Sequence, residues 1–140
     1  MANMKETFLI LITTIAVQSI ACDDSVPPDV GDWMGIGLGS ERSDLIANFG
    51  QPIELLVPEN PAAEACDEFV YYQGFRFCIL GGVVDSFDVT STEYIETLAV
   101  NKKCIKGQGD TFFRLGDSDC AIRIKSKNGS VVEVINFCAP

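Results

Sequence analysis

The chain has 140 residues, 47% of them hydrophobic, which is enough to bury the core of one domain. Twenty acidic residues against ten basic ones give a net charge of −10 at pH 7, and the chain contains no histidine. An acidic surface repels phosphate backbones, so we expect no nucleic-acid partner. Without histidine, Ser-His and Cys-His nucleophilic pairs and histidine-ligated metals are excluded, and we expect no cofactor.

The first 21 residues have the layout of a secretory signal peptide. Lys5 precedes an uncharged apolar run over residues 8–17, and the small residue Ala21 directly precedes Cys22. A permanent membrane helix needs about 20 apolar residues, and this run is much shorter. We therefore predict that residues 1–21 are a signal peptide that is removed on export.

The stretch SIAC over residues 19–22 resembles the lipobox of bacterial lipoproteins. That resemblance implies a lipid on the Cys22 thiol and hence an anchor in a membrane. Ordinary signal-peptidase cleavage after Ala21 would release the same chain without lipid, and this alternative stays open. Residues 22–32 are acidic and contain two prolines, so we predict a tether followed by a single domain over residues 33–140.

The six cysteines are expected to form disulfides, because an exported chain matures in an oxidising compartment. Lipid on Cys22 would leave five thiols and two bridges, whereas an unmodified Cys22 would allow three bridges. The other disulfide candidates are Cys66, Cys78, Cys104, Cys120 and Cys138. The chain has no CxxC pair and no histidine, so the usual zinc spacings are missing and we predict no metal site.

Residues 41–49 are predicted to form a short amphipathic helix. Ser40 is a favourable N-cap, and Leu45 and Phe49 fall on one apolar face. Gly50 follows at the position where a helix commonly ends in a left-handed residue.

An antiparallel meander is predicted over residues 67–89, where apolar and polar residues alternate. Residues 73–74 suit a two-residue hairpin loop. In the next turn, a three-residue loop over residues 80–82 keeps Phe87 on the apolar face, whereas a two-residue loop would bring Asp88 there. We therefore predict the three-residue loop and expect the helix to cover this apolar face.

The C-terminal end of the chain carries the strongest hairpin signal, two alternating runs joined by Asn-Gly. A three-residue loop over residues 127–129 places Arg123 opposite Glu133 on the outer face. The same register brings Cys120 and Cys138 to one face, where we predict a disulfide.

Two further strands are predicted at residues 95–105 and 111–115. Together these elements predict an α+β fold. In it, one short helix (about residues 41–49) packs on an antiparallel meander sheet, and the chain ends in a C-terminal β-hairpin.

Residues 33–89 resemble a unit found in BamE-type (SmpA/OmlA) outer-membrane assembly lipoproteins and in domains similar to β-lactamase inhibitory protein. The matching residues are Gly35-Ile36, Leu38-Gly39, Ser40, Phe49-Gly50, Pro52, Tyr71-Tyr72 and Gly82-Val83. This resemblance implies a small α+β binding module of the cell envelope. It transfers no catalytic residue.

Our first functional hypothesis is a non-catalytic exported lipoprotein of the bacterial cell envelope, at the cell membrane or in the periplasm. It would be anchored to the membrane through Cys22 and would bind another protein through its sheet or loops. The second hypothesis is a secreted, soluble inhibitor of a hydrolase.

The third hypothesis is a small hydrolase that acts through paired carboxylates. The closest acidic pairs are Asp85 with Asp88 and Asp117 with Asp119. Two carboxyl groups about 5–9.5 Å apart in a cleft can hydrolyse a glycoside. All four residues lie at predicted strand or turn positions, where a solvated aspartate is ordinary, so we predict no catalytic residue.

Overall fold

The computed structural model describes residues 22–140, and the predicted signal peptide over residues 1–21 lies outside the described residues. Its strands are β1 (Ser25–Val26), β2 (Glu54–Leu56), β3 (Glu68–Tyr72), β4 (Phe75–Leu80), β5 (Val83–Val89), β6 (Gly109–Leu115), β7 (Cys120–Lys127) and β8 (Ser130–Cys138). Its helices are α1 (Arg42–Phe49), α2 (Pro61–Glu64) and α3 (Thr92–Thr97), and a 3₁₀ turn spans Lys102–Cys104.

All eight strands form one mixed sheet in the order β1-β6-β7-β8-β5-β4-β3-β2. Two three-stranded meanders, β3-β4-β5 and β6-β7-β8, meet through their last strands, which pair antiparallel. The β1 strand pairs in parallel with β6. The predicted fold class, one helix packed on a meander with a separate hairpin, is therefore wrong. Residues 22–140 have a sheet-rich fold with three short helices, because the pairing of β5 with β8 merges the meander and the hairpin.

One face of the sheet, which we call the covered face, packs against α1 and α3. Leu45 of α1 and Tyr94 of α3 are buried in the same cluster as Phe77, Phe87 and the other inward side chains of the strands. The predicted helix over residues 41–49 is thus present. Its N-cap is Glu41 in place of the expected Ser40, whose Oγ instead accepts a hydrogen bond from the backbone of Gly37.

The turn between β4 and β5 differs from the predicted one in loop length, although Phe87 lies on the predicted face. Leu80 pairs with Val83, so the loop has two residues, and a bulge then shifts the register. The extra residue returns Phe87 to the covered face, opposite Phe77. The predicted apolar face is confirmed, and the predicted three-residue loop is wrong because a bulge supplies the added residue.

The β7-β8 hairpin also has a two-residue loop, with Lys127 paired to Ser130, followed by a bulge between Lys125 and Ser126. As a result Lys125, and not the predicted Arg123, lies opposite Glu133. The predicted register is wrong for the same reason as in β4-β5: the loop is one residue shorter than predicted, and a bulge adds one residue, here Val132, to the following strand.

The strand predicted at residues 95–105 is wrong, because this segment contains the end of α3 and the 3₁₀ turn. The Ser91 side chain accepts a hydrogen bond from the backbone of Tyr94 and so caps the start of α3. The strand predicted at residues 111–115 is confirmed and forms most of β6.

Residues 22–32, which were predicted to be a tether, lie against the domain. Ser25 and Val26 pair with β6 at the edge of the sheet. The carbonyl of Gly31 accepts a hydrogen bond of 2.8 Å from the buried hydroxyl of Tyr94. The N-terminal segment of the described chain is therefore held to the domain by strand pairing and by a buried hydrogen bond.

Candidate functional site

The sheet face opposite α1 and α3, which we call the open face, carries one continuous cross-strand row of side chains. Each member is the register partner of the next across seven strands. In spatial order the row is Glu54, Tyr71, Arg76, Asp88, Ile135, Arg123 and Phe112. Six strand spacings of about 4.8 Å make the row roughly 29 Å long.

Opposite charges pair along this face. Arg76 forms an ion pair with Asp88 on the neighbouring strand. Lys125 lies 3.6 Å from Glu133, again between cross-strand neighbours. Arg123 Nε is 3.3 Å from Asp110, although the geometry between them is not that of a hydrogen bond. These pairs leave the open face nearly balanced in charge within an acidic protein.

Apolar and aromatic side chains lie between the ion pairs. Phe112 is 55% exposed, and Tyr71, Ile135 and Phe137 are half-buried. The guanidinium of Arg76 lies 5.0 Å from the ring centre of Phe69, within the range of a cation–π contact. The open face therefore combines paired charges with aromatic rings and arginine, two residue classes that are enriched at protein–protein interfaces.

At the β2 side, the open face ends in an apolar edge. Ile53, Leu55, Leu56 and Val57 are all exposed, and β2 pairs with β3 on one side only among the described strands. An edge strand presents unpaired backbone N–H and C=O groups. Clusters of exposed apolar residues at such an edge commonly mark an interaction surface.

A buried polar pair on the covered face links α3 to β8 by a hydrogen bond. Asn136 Nδ2 donates to Tyr94 Oη at 3.0 Å, and both side chains are about 1% exposed. Burial, partly offset by this hydrogen bond, raises the pKa of Tyr94 to about 12, so the phenol stays neutral and can donate to Gly31. A Cβ on Gly31 would collide with the Asn136 side chain, so this glycine lets the chain approach.

Sequence reasoning missed Tyr94 and Asn136 as partners. A signal for Asn136 is present, because it is the polar member of an inward-facing series in β8 that includes the apolar Val134. The pattern that could have identified Tyr94 is weaker, since tyrosine is common in strands and the partner lies 42 residues away.

All six cysteines form disulfides. The bridges are Cys22–Cys104, Cys66–Cys78 and Cys120–Cys138. The predicted pairing of Cys120 with Cys138 is confirmed, and the two residues lie directly opposite each other in β7 and β8. Three disulfides indicate an oxidising compartment, either outside the cell or in the periplasm.

The bridge at Cys22 bears on the predicted lipid attachment. In the structure, the Cys22 sulfur is bonded to Cys104, with the two Cα atoms 5.6 Å apart. A sulfur in a disulfide has no free valence for a thioether to lipid. Lipid on Cys22 therefore remains a prediction that competes with this bridge. Within residues 22–140, no helix has both the length and the apolar character needed to cross a membrane.

The two acidic pairs proposed for hydrolysis lie in ordinary surface positions. Asp85 is the exposed extra residue of the β5 bulge, and Asp88 is paired with Arg76. Asp117 and Asp119 lie exposed in the β6-β7 turn. Across residues 22–140, no cluster of three or more acidic or cysteine side chains is arranged to hold a metal ion. A catalytic general acid needs burial or a like charge to raise its pKa, and neither pair is buried.

Comparisons of the chain with protein-family models, curated proteins and solved structures find no match. The resemblance of residues 33–89 to BamE-type lipoproteins and inhibitor domains therefore stays a prediction.

Proposed function

We propose that the protein is a non-catalytic, exported module that binds a partner protein on the open face of its sheet. The observation that supports this is the cross-strand row, which is roughly 29 Å long from the strand spacing. In it the Arg76–Asp88 ion pair lies between two aromatic rings, Tyr71 and Phe112, while α1 and α3 lie on the other face. A surface of this kind buries apolar area on docking while its charges select the partner.

The charge pattern of the open face favours a protein over other partners. A nucleic acid or an anionic membrane would require a surface with an excess of basic residues. Here Arg76, Arg123 and Lys125 each lie within ion-pair distance of a carboxylate. Such a balanced surface is complementary to the mixed charges of another protein. The exposed apolar edge at β2 extends the same surface beyond β3.

Site-specific photocrosslinking in cells that express the full chain tests this proposal. A photoreactive phenylalanine analogue is placed at Tyr71 or at Phe112, near the two ends of the row, and at Glu96 on the exposed side of α3 as the control. We expect one adduct of the same mass from both open-face positions and none from position 96. Substituting Ile135→Arg, in the middle of the row, should abolish both adducts.

Two results would overturn this assignment. One is that neither Tyr71 nor Phe112 yields a defined adduct; the other is that position 96 yields the same adduct. If the partner identified is a hydrolase, a calorimetric titration would show whether it is inhibited at one-to-one stoichiometry, as the inhibitor hypothesis requires.

We further propose that the mature chain begins at Cys22 and carries the Cys22–Cys104 bridge in place of a lipid. The support is the disulfide itself, whose Cα separation of 5.6 Å lies in the ordinary range. The competing form is the lipoprotein that the SIAC stretch resembles, in which Cys104 would be left as a free thiol.

Intact mass spectrometry of the exported protein, before and after reduction, separates the two forms. The bridged form should have the mass of residues 22–140 and should gain six hydrogens on reduction, two for each of the three bridges. A mass increased by acyl chains, with a gain of four hydrogens, would instead establish the lipoprotein.

A further inference from the structure

A cleft lined by aromatic rings opens at one end of the covered face. It lies between the end of α1, the β3-β4 turn and the start of α3, and its volume is about 670 Å³. Four aromatic residues form its wall, and we call it the aromatic cleft: they are Trp33, Phe49, Tyr72 and Phe75. Successive ring centres are 6.2 Å (Trp33 to Phe75), 5.9 Å (Phe75 to Phe49) and 5.3 Å (Phe49 to Tyr72) apart.

The charge around this cleft is negative. Glu93 is the charged residue in its lining, and the lining contains no lysine or arginine. Residues 22–99 contain fifteen acidic residues and only two basic ones, Arg42 and Arg76. Both arginines are engaged by carboxylates, of Glu68 and Asp88 respectively. No described basic side chain lies within ion-pair distance of Glu93.

Two hydroxyl groups of the wall are engaged within the protein. The Tyr72 hydroxyl donates to the carbonyl of Gly50 at 2.8 Å, and the Ser91 hydroxyl accepts from the backbone of Tyr94. Burial raises the pKa of Tyr72, so its ring stays neutral. This leaves aromatic surface, one carboxylate and three neutral polar side chains for a ligand, those of Gln73, Thr90 and Thr92. An anion would be repelled by Glu93, whereas a cation is attracted by both the rings and Glu93.

We infer that the aromatic cleft binds the basic side chain, lysine or arginine, of a partner protein. That this side chain belongs to a partner protein rests on the proposed function. The preference of the cleft for a cation does not. A second, smaller cleft of about 320 Å³ shares Tyr72 and Phe75 with the first and contains Arg76 and Asp88 of the open face. A partner docked on the open face can therefore reach the aromatic cleft around the β3-β4 turn.

The single tryptophan of the chain, Trp33, reports directly on this site. The full mature protein is titrated with N-acetyl-lysine methylamide, N-acetyl-arginine methylamide and the neutral analogue N-acetyl-norleucine methylamide. Binding is followed by Trp33 fluorescence and by the chemical shift of its indole N–H. We expect the two cationic probes to bind about tenfold more tightly than norleucine, the gain expected of a cation over aromatic faces.

A matched pair of variants tests the role of Glu93. Glu93→Gln should weaken binding of the lysine probe by about two- to fivefold, the effect of losing one exposed ion pair. Binding of the norleucine probe should not change. Glu96→Gln removes the same charge from the same helix but lies outside the lining, and it should leave both affinities unchanged.

Three results would overturn the inference: no response of Trp33 to either cationic probe, equal binding of norleucine, or equal effects of the two glutamate variants. These failures are distinct from failure of the proposed function. Crosslinks from Tyr71 and Phe112 with no lysine binding would retain the open face and reject the cleft. Lysine binding without crosslinks would retain the cleft and reject the open face.

Discussion

The two faces of the sheet are built from the same strands but from different chemistry. On the covered face, Phe77, Phe87 and Val134 are at most 1% exposed, and the aromatic rings pack against one another. On the open face, the residues between them carry paired charges and partly exposed rings. Because side chains alternate along a strand, one sequence can assign stability to one face and leave the other free to evolve a binding surface.

The largest expected effect comes from truncating the covered face. Phe77 is 1% exposed and packs against the rings of Phe49, Phe75 and Phe87 at 5.2–6.0 Å between centres. Phe77→Ala should lower the free energy of unfolding by about 3–5 kcal/mol. Urea denaturation with the disulfides intact measures this loss.

Phe112→Ala is the matched variant on the open face. The ring is 55% exposed, so its removal should cost less than about 1 kcal/mol. Similar losses for the two variants would show that the open face contributes to the core, and would remove the distinction between the faces.

The buried polar pair should have an intermediate effect. Tyr94→Phe removes the hydroxyl that donates to Gly31 and accepts from Asn136. The two partners are left unsatisfied inside the protein, so we expect a loss of about 1–3 kcal/mol in the free energy of unfolding. Tyr72→Phe is the control, because its hydroxyl donates to Gly50 at an exposed site and its loss should cost less than about 1 kcal/mol.

The pH dependence of this loss identifies the phenol as its source. The pKa of Tyr94 in the folded protein, about 12, lies above the ordinary value of 10.0, so the neutral phenol stabilises the folded state. That contribution is fully present below pH 10 and is lost as the pH rises through about 12. Chemical denaturation of wild type and Tyr94→Phe should give a constant difference up to pH 10.0 that then shrinks. A difference that does not change with alkaline pH would mean that the loss comes from packing alone.

Local patterns predicted the parts of the fold that depend on neighbours in sequence. The two-residue turn at Gln73-Gly74 follows from the turn residues, and the placement of Phe87 and Val89 on one buried face follows from their alternation with Asp88. The pairing of Cys120 with Cys138 follows from the hairpin that joins them. Each of these contacts spans fewer than 20 residues, and each is encoded by spacing.

The alternation of apolar and polar residues could not reveal the bulges, for a physical reason. A three-residue loop and a two-residue loop followed by a bulge place Phe87 on the same face, so alternation cannot distinguish them. In the last hairpin the same ambiguity moved Glu133 from Arg123 to Lys125. The partner of Arg123 is then Asp110, on a strand that the hairpin pattern does not include.

Contacts between segments that are distant in sequence account for the parts of the fold that local patterns did not predict. The pairing of β5 with β8 and the Cys22–Cys104 bridge, across 82 residues, have no local signal. Residues 95–105 contain strand-forming residues, yet the Ser91 cap starts a helix just before them, and that helix continues to Thr97. The open face could not be predicted for a related reason: its cross-strand row passes from β5 to β8, and that pairing has no local signal.

The smallest expected effect concerns the ion pairs of the open face. Lys125 lies 3.6 Å from Glu133 and is also the register partner of Asp110. Lys125→Gln should change the free energy of unfolding by less than about 0.5 kcal/mol, because exposed pairs are screened by water. Lys125→Glu places three carboxylates side by side and should cost about 1 kcal/mol. In about 1 M NaCl that loss should shrink, since repulsion between exposed charges is screened there. If Lys125→Gln instead destabilised the protein as much as Tyr94→Phe, the paired charges would be supporting the fold, and their availability to a partner protein would lose its physical basis.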